Sequence, residues 1–149
     1  MDLLVGSYTT GTTSPGAVRA HLDLASGALT ASGAVAFDDP SWVTLHDGSV
    51  YAVGEHAGGT VSSARLDGSD VVTLEGAGDD PCHLLVHDGH VVVAGYSSGT
   101  VAVFALGADG ALTERTHLLQ HSGSGPDADR QDAPHVHQVQ ASPTAGTCW

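Results

Sequence analysis

The sequence has very little positive charge. It carries four arginines and no lysine against 17 acidic residues, which gives a formal net charge of −13 at pH 7 with histidine neutral. Because nucleic-acid phosphates bind basic side chains, this composition excludes a nucleic-acid partner. Asparagine and isoleucine are also absent, a bias that we attribute to a GC-rich genome, with a salt-adapted acidic surface as the alternative.

Long apolar runs and cysteine pairs are missing as well. No stretch approaches the length of a membrane helix, and the N-terminus has neither a basic region nor a long apolar core. We therefore expect a cytoplasmic protein without a membrane partner. Two cysteines, Cys82 and Cys148, imply no disulfide framework. No window sustains the helical spacing of apolar residues, and glycine interrupts nearly every candidate helix.

What the sequence does contain is a repeat. Residues Pro40–Glu55 align without a gap on Pro81–Tyr96, at an offset of 41 residues. Residues Gly16–Thr30 return as Gly99–Thr113 at an offset of 83, about twice that unit. Self-similarity at this spacing indicates stacked supersecondary units.

Each unit has the pattern of four short strands. Apolar residues alternate with period 2, and His46–Gly48 and His87–Gly89 supply the glycine that tight hairpin turns require. Four antiparallel strands in about 40 residues is typical of a β-propeller blade. The predicted fold class is therefore all-β, built from propeller blades.

The repeat also predicts how the blades divide the chain. Residues 1–39 match the last three strands of a first blade, 40–80 form a second blade and 81–120 a third. Residues 121–133 form a loop, and 134–149 begin a fourth blade. Propellers close with about four to eight blades, and this chain offers fewer than three. We expect a single partial domain, an N-terminal fragment that is inactive alone and self-associates through open strand edges.

Two short motifs do not indicate catalysis. Residues Gly95–Gly99 spell G-x-S-x-G, but a strand follows them, whereas the nucleophile elbow of serine hydrolases needs a helix. We interpret them as a hairpin turn. Cys82 and His83 are neighbours on a predicted strand and point to opposite faces, so they do not form a nucleophile and base.

The strongest site signal is a long loop. The spacing between the prolines that open the units grows from 41 to 53 residues before Pro134. This loop brings His121, Arg130 and Gln131 close to His135 and His137 at one end of a predicted inner strand. The first strand of each propeller blade lines the central channel, so we expect the site there.

A series of short motifs runs along the chain in a fixed order. The motifs are Ser7–Thr9, Tyr51–Glu55, Pro81–Leu84, Gly95–Phe104, His121–Pro126, Arg130–Gln131 and Pro134–His137. With this order and spacing, the sequence resembles the lactonase family of seven-bladed β-propellers, which includes propeller-type 6-phosphogluconolactonases and fungal carboxymuconate cyclases. The resemblance covers residues 3–143 and departs from the family at Gly54 and Gly95, where asparagine is usual.

The resemblance implies hydrolysis of a sugar lactone, 6-phospho-D-glucono-1,5-lactone, to 6-phosphogluconate in the pentose phosphate pathway. It implies no cofactor and a monomeric full-length protein. Opening an activated ring ester needs a base of near-neutral pKa, so His135 or His137 is the candidate. Arg130 would hold the phosphate or the oxyanion.

Three further residues, Glu55, His83 and Gln131, are candidates for substrate binding.

Several alternatives stay open at this stage. The same scaffold could carry a lactonising cycloisomerase or a propeller that only binds a partner. The histidines at 135 and 137 could be structural, Arg130 could form a surface ion pair, and Trp42 could be a packing residue rather than a sugar platform. A metal held by His83, Glu55 and the two histidines is a weaker alternative, and we expect no metal.

Overall fold

A computed structural model describes residues 1–142. These residues form eleven β-strands and no helix. The all-β prediction is thus confirmed, and so is its arrangement in small antiparallel sheets. None of the described residues form a helix that could cross a membrane. Cys148 and the end of the predicted fourth-blade segment lie outside the described residues.

The strands form three sheets, each an antiparallel meander in chain order. The first sheet has three strands, β1 (Asp2–Val5), β2 (Ala17–Leu22) and β3 (Leu29–Val35). The second has four, β4 (Val43–His46), β5 (Ser49–Gly54), β6 (Thr60–Arg65) and β7 (Val72–Glu75). The third has four, β8 (Pro81–His87), β9 (His90–Gly95), β10 (Thr100–Leu106) and β11 (Leu112–Gln120).

The hairpins that join the first two strands of the second and third sheets have the same two-residue turn. Asp47 and Gly48 have φ angles of 47° and 78°, and Asp88 and Gly89 have 52° and 72°. Two consecutive residues with positive φ are typical of a type I′ turn, whose twist matches that of the flanking strands. Glycine adopts this conformation without strain and aspartate tolerates it. These turns fix the register of β4 on β5 and of β8 on β9.

The core lies between the sheets. On β5, Val50 and Ala52 face the first sheet, whereas Tyr51 and Val53 face the third, because successive side chains of a strand alternate. Both faces of the second sheet are consequently covered. One hydrophobic cluster thus lies between the first and second sheets and another between the second and third. The third sheet contributes Val91, Val93 and Phe104, among others, to the cluster that contains Tyr51 and Val53.

Residues 121–140 contain no strand. The sequence predicts that a fourth blade begins at Pro134, and this stays a prediction. The physical reason for the missing ladder is that a β-strand exists only where a neighbouring strand accepts and donates its backbone hydrogen bonds. Residues 134–140 lie against the third sheet through single hydrogen bonds. Backbone groups of the segment contact the side chains of Cys82 and His83, and the His135 ring contacts the Tyr96 carbonyl.

Candidate functional site

The candidate side chains gather at one end of the sheets. Glu55 directly follows β5 and Tyr96 directly follows β9, while Trp42 directly precedes β4. Neighbouring strands of these meanders are antiparallel, so the end of a second strand lies beside the start of a first strand. His83, near the start of β8, therefore lies at the same end, which we call the site end.

His135 is held through its Nδ1 atom and through the face of its ring. Its Nδ1 lies 3.2 Å from the carbonyl oxygen of Tyr96, and its ring stacks on the Tyr96 ring at 4.5 Å between centroids. A carbonyl only accepts, so Nδ1 must carry the proton of this hydrogen bond. In the neutral ring Nε2 is then the free lone pair, and it lies 3.8 Å from Oδ1 of Asp132. This tautomer is the one that a general base needs.

His137 contacts the same tyrosine. Its ring lies edge-on to Tyr96 with 4.6 Å between centroids. The two histidines therefore share one aromatic neighbour, although His135 is half-buried and His137 is exposed. Aromatic pairs at this separation are worth about 0.5–1.5 kcal/mol beyond their burial. Tyr96 thus fixes where the two imidazoles lie.

His83 lies apart from this pair, between Trp42 and residue Val139. The backbone N–H of Val139 donates to Nδ1 of His83 at 3.5 Å, and the Trp42 ring lies at 4.2 Å between centroids, tilted by 41°. Burial lowers the pKa of His83. With Nδ1 accepting, the neutral ring carries its proton on Nε2, so His83 is a hydrogen-bond donor.

The Glu55 carboxylate affects the pKa of two other groups at the site end. Burial, and after it the nearby Glu55 carboxylate, raise the pKa of the Tyr8 phenol. Burial followed by the Glu55 charge also raises the pKa of the Cys82 thiol. Cys82 therefore stays protonated, and its S–H donates to the carbonyl oxygen of His137, with 3.5 Å between Sγ and that oxygen. This thiol anchors the segment that carries the histidines.

Arg130 and Gln131 do not join this cluster. The backbone N–H of Asp127 donates to Oε1 of Gln131 at 3.3 Å, so the Gln131 side chain is turned back onto its own loop. Arg130 is exposed, and within residues 1–142 its guanidinium makes no ion pair. The structure thus brings His135 and His137 together, places Glu55 and His83 at the same end, and leaves the two loop residues outside. His121, the remaining loop candidate, is exposed directly after β11.

Asp39 fixes the loop that follows β1 near the site end. Its Oδ1 accepts from the backbone N–H groups of Thr9 and Thr10 at 2.7 and 2.8 Å, and its Oδ2 accepts from the Thr10 hydroxyl at 2.7 Å. The hydrogen bonds from Thr10 and Thr9 lower the pKa of Asp39 to about 2, against the opposing effect of burial. Tyr8, which precedes these threonines, is positioned through this contact.

Sequence reasoning missed Tyr96 and the role of Asp132. The repeat contained a signal for the tyrosine, because Tyr96 occupies the position of Glu55 in the alignment of the two units. Asp132 carried no such signal, since it lies in the loop that interrupts the repeat. Trp42, interpreted as a packing residue, contacts His83 but leaves 40% of its surface exposed.

No metal centre forms among residues 1–142. In that part of the chain, no three side chains of histidine, cysteine, aspartate or glutamate converge closely enough to hold an ion. The site that the described residues do form combines a half-buried imidazole with a free nitrogen, a second imidazole that donates, and a carboxylate. This combination suits proton transfer to and from a small molecule.

Three solved structures are similar to the chain along 95% of its length. A protein of Bacteroides fragilis, provisionally named 6-phosphogluconolactonase, is 31% identical with a TM-score of 0.87. A protein of Bacteroides uniformis with the same provisional name is 34% identical with a TM-score of 0.84. A protein of Lactobacillus plantarum is 31% identical with a TM-score of 0.82. Among curated proteins, the search found no match.

The chain spans less than half of each of these structures, namely 42%, 44% and 43% of their lengths. A family model described as "Lactonase, 7-bladed beta-propeller" matches residues 2–149. This match covers all three sheets and the segment that carries His135 and His137. The chain therefore belongs to the lactonase family of seven-bladed β-propellers.

Proposed function

We propose that the site end serves the hydrolysis of a sugar lactone, with 6-phospho-D-glucono-1,5-lactone as substrate and 6-phosphogluconate as product. Membership of the lactonase family supports this reaction class. The provisional name of the two Bacteroides proteins supports the choice of substrate. The observation that carries the mechanism is the orientation of His135.

His135 acts as the general base. Its Nδ1 proton is engaged by the Tyr96 carbonyl, so Nε2 takes a proton from water. The water oxygen attacks the lactone carbonyl carbon, the bond between that carbon and the ring oxygen breaks, and the ring oxygen receives the proton. The product is the open-chain hydroxy acid. Asp132, beside Nε2, stabilises the imidazolium that forms when Nε2 takes the proton.

His83 and Glu55 bind the sugar. The Nε2–H of His83 donates to a carbonyl or hydroxyl oxygen of the substrate, because its Nδ1 is occupied by the Val139 N–H. Glu55 accepts from sugar hydroxyls at the same end of the sheets. His137 is the second candidate for the base, since it shares the Tyr96 ring with His135.

Arg130 binds the substrate phosphate. It is one of only four basic residues in the chain, and within residues 1–142 no carboxylate pairs with it. A guanidinium binds phosphate through two parallel hydrogen bonds. Gln131, its neighbour on the loop, would leave its contact with Asp127 to reach the substrate.

The first test measures binding of 6-phosphogluconate to the 149-residue chain by imidazole ¹H–¹⁵N NMR. We expect the resonances of His135 and His83 to shift, and Arg130→Gln to weaken the affinity at least about tenfold. Arg65→Gln is the matched control, because Arg65 ends β6 at the opposite end of the sheet and lies 3.8 Å from Asp70. It should leave the affinity unchanged.

The second measurement is the rate of lactone opening above the spontaneous rate. Any acceleration should disappear in His135→Asn and persist in Arg65→Gln, with 6-phosphogluconate as the product. Formation of a lactone from an open-chain acid would instead indicate the cycloisomerase alternative. A ligand that shifts neither histidine, or binds equally to the Arg130 variant, would refute the assignment of the site.

A further inference from the structure

Trp42 exposes an aromatic surface in the one sheet that has both faces covered within residues 1–142. The residue directly precedes β4, and 40% of its surface is exposed. The centroid of its ring lies 4.2 Å from that of His83 on β8, so the side chain points toward the third sheet. The second sheet already packs against a neighbour on each face. Because propeller blades cover one another face to face around a central channel, the exposed part of Trp42 faces the channel rather than the place of a further blade.

The polar atom of this indole is already engaged. Its Nε1–H donates to the hydroxyl oxygen of Thr44 at 3.2 Å, on the same side of the strand, since side chains recur there with period 2. The backbone carbonyl of Trp42 accepts from the N–H of Val53 at 3.1 Å, which continues the pairing of β4 with β5. What the side chain leaves exposed is therefore carbon, in an orientation that exists before a ligand binds.

A hydrogen-bond donor lies directly beside this surface. The N–H of Val139 occupies Nδ1 of His83, so the neutral imidazole donates through Nε2–H. The planes of the Trp42 and His83 rings are inclined by 41° to each other. A flat apolar surface that adjoins a fixed polar group is typical of binding sites for small molecules.

A closed sugar ring has the complementary chemistry. In a ring of the gluco configuration the hydroxyl groups project sideways, whereas C–H groups cover the two faces. C–H hydrogens carry a small positive charge, and the face of an aromatic ring is negative. The indole of Trp42 can therefore hold one face of the ring while His83 donates to an oxygen at its edge.

We propose that Trp42 is a stacking platform for the closed ring of the sugar lactone, so that the site prefers the cyclic substrate to its open-chain product. This inference rests on the proposed function and adds to it the group that recognises the ring. When the bond between the carbonyl carbon and the ring oxygen breaks, the molecule loses the face that lies on the indole. The product is then held by its phosphate and hydroxyl groups alone, which favours its release.

A packing role for Trp42 predicts a different result. A packing residue would stabilise the junction between the second and third sheets, and its loss would weaken every ligand of the site end alike. A platform distinguishes a closed ring from an open chain of the same charge. The ratio of the two affinities therefore separates the two roles.

The test compares D-glucose 6-phosphate, which forms a closed ring, with D-glucitol 6-phosphate, which does not. Both carry the same phosphate, and neither contains an ester that the site could hydrolyse. Dissociation constants are measured by NMR titration of the 149-residue chain and of Trp42→Ala, Trp42→Phe and Leu66→Ala. Leu66 is the matched control, because it is similarly exposed, at 38%, and follows β6 at the opposite end of the sheet.

The wild type and Leu66→Ala should bind the closed ring at least about tenfold more tightly than the open chain. Trp42→Ala should lose this preference, with its affinity for glucitol 6-phosphate unchanged within about twofold. Trp42→Phe should keep most of the preference, because a phenyl ring also presents a flat negative face. Circular dichroism verifies that each variant folds. If Trp42→Ala does not, Trp42→Leu takes its place, since leucine keeps apolar volume without an aromatic face.

The proposal is overturned if both ligands bind and the preference for the ring is absent from the wild type or survives in Trp42→Ala. Equal weakening of both ligands in Trp42→Ala would overturn it in favour of the packing role. In each of these cases the sugar phosphate still binds to the wild type, so the proposed function stands. A wild-type chain that binds neither ligand would refute the proposed function and the platform together.

Discussion

The second sheet and the third sheet have similar sequences and different burial. All six residues of β5 are buried, whereas its counterpart β9 leaves His90 exposed and Val92 half-buried. Among residues 1–142, the second sheet lies between two neighbours and the third has one. A propeller strand is therefore buried by its neighbouring blades, and its own sequence only makes it suitable for burial.

The two junctions between neighbouring sheets also differ, in the hydrogen bonds that an equivalent aspartate accepts. The junction of the first and second sheets holds a carboxylate, Asp39, that accepts hydrogen bonds from the loop after β1. At the equivalent position of the next junction, Asp80 has nearly the same backbone, with φ of 49° against 42°. Within residues 1–142, no donor binds the Asp80 carboxylate. Two aspartates at equivalent sequence positions thus differ in the hydrogen bonds they accept, because a loop with donors reaches only the first of them.

The largest effect should come from the covered face. Phe104→Ala removes a side chain with no exposed surface from the cluster between the second and third sheets. We expect a loss of about 3–5 kcal/mol in the free energy of unfolding, measured by urea denaturation. Leu119→Ala, on the uncovered face, should change it by less than about 0.5 kcal/mol in monomeric samples. Equal losses of unfolding free energy in the two variants would contradict the conclusion that only one face of the third sheet is covered.

The junction that Asp39 holds should show the next largest effect. Asp39→Ala should lower the free energy of unfolding by roughly 2 kcal/mol more than Asp80→Ala. Both aspartates have the same strained backbone conformation, but only Asp39 accepts hydrogen bonds from the loop. The pKa of Asp39 is lowered to about 2, so its contribution to the free energy of unfolding is complete above the ordinary pKa of aspartate. This contribution to stability is lost as the pH falls toward 2.

Urea midpoints of Asp39→Ala, Asp80→Ala and the wild type, compared at neutral and acid pH, measure this contribution. The difference between the two variants should be largest near neutral pH. If Asp80→Ala were equally destabilising, backbone strain rather than the loop contact would account for the loss.

The smallest effect should come from His83. Burial lowers its pKa in the folded protein, so the unfolded chain takes up a proton first as the pH falls through 6.5. The wild type should consequently lose stability below that pH, and His83→Gln should lose less. Urea midpoints at about pH 5 and pH 8 would measure the difference. A variant with the same pH dependence as the wild type would show that the His83 ring is not desolvated.

Much of the fold followed from the repeat. The offset of 41 residues and the Asp-Gly turns predicted strands because alternation and positive φ are local properties of the chain. Tyr96 at the position of Glu55 was visible in the same alignment. The loop of residues 121–133 has no counterpart in the other unit, so the conformation of Gln131 and the contact of Asp132 with His135 could not be predicted.

By itself, the sequence determined the all-β class, the meander order and the hairpin turns, because each depends on residues close together in the chain. Only the tertiary structure decided which histidine nitrogen is free, since the Tyr96 carbonyl that engages His135 lies 39 residues away. It also decided which apolar faces are covered. Burial depends on what packs against a sheet, and that is a property of the assembled blades rather than of any one strand.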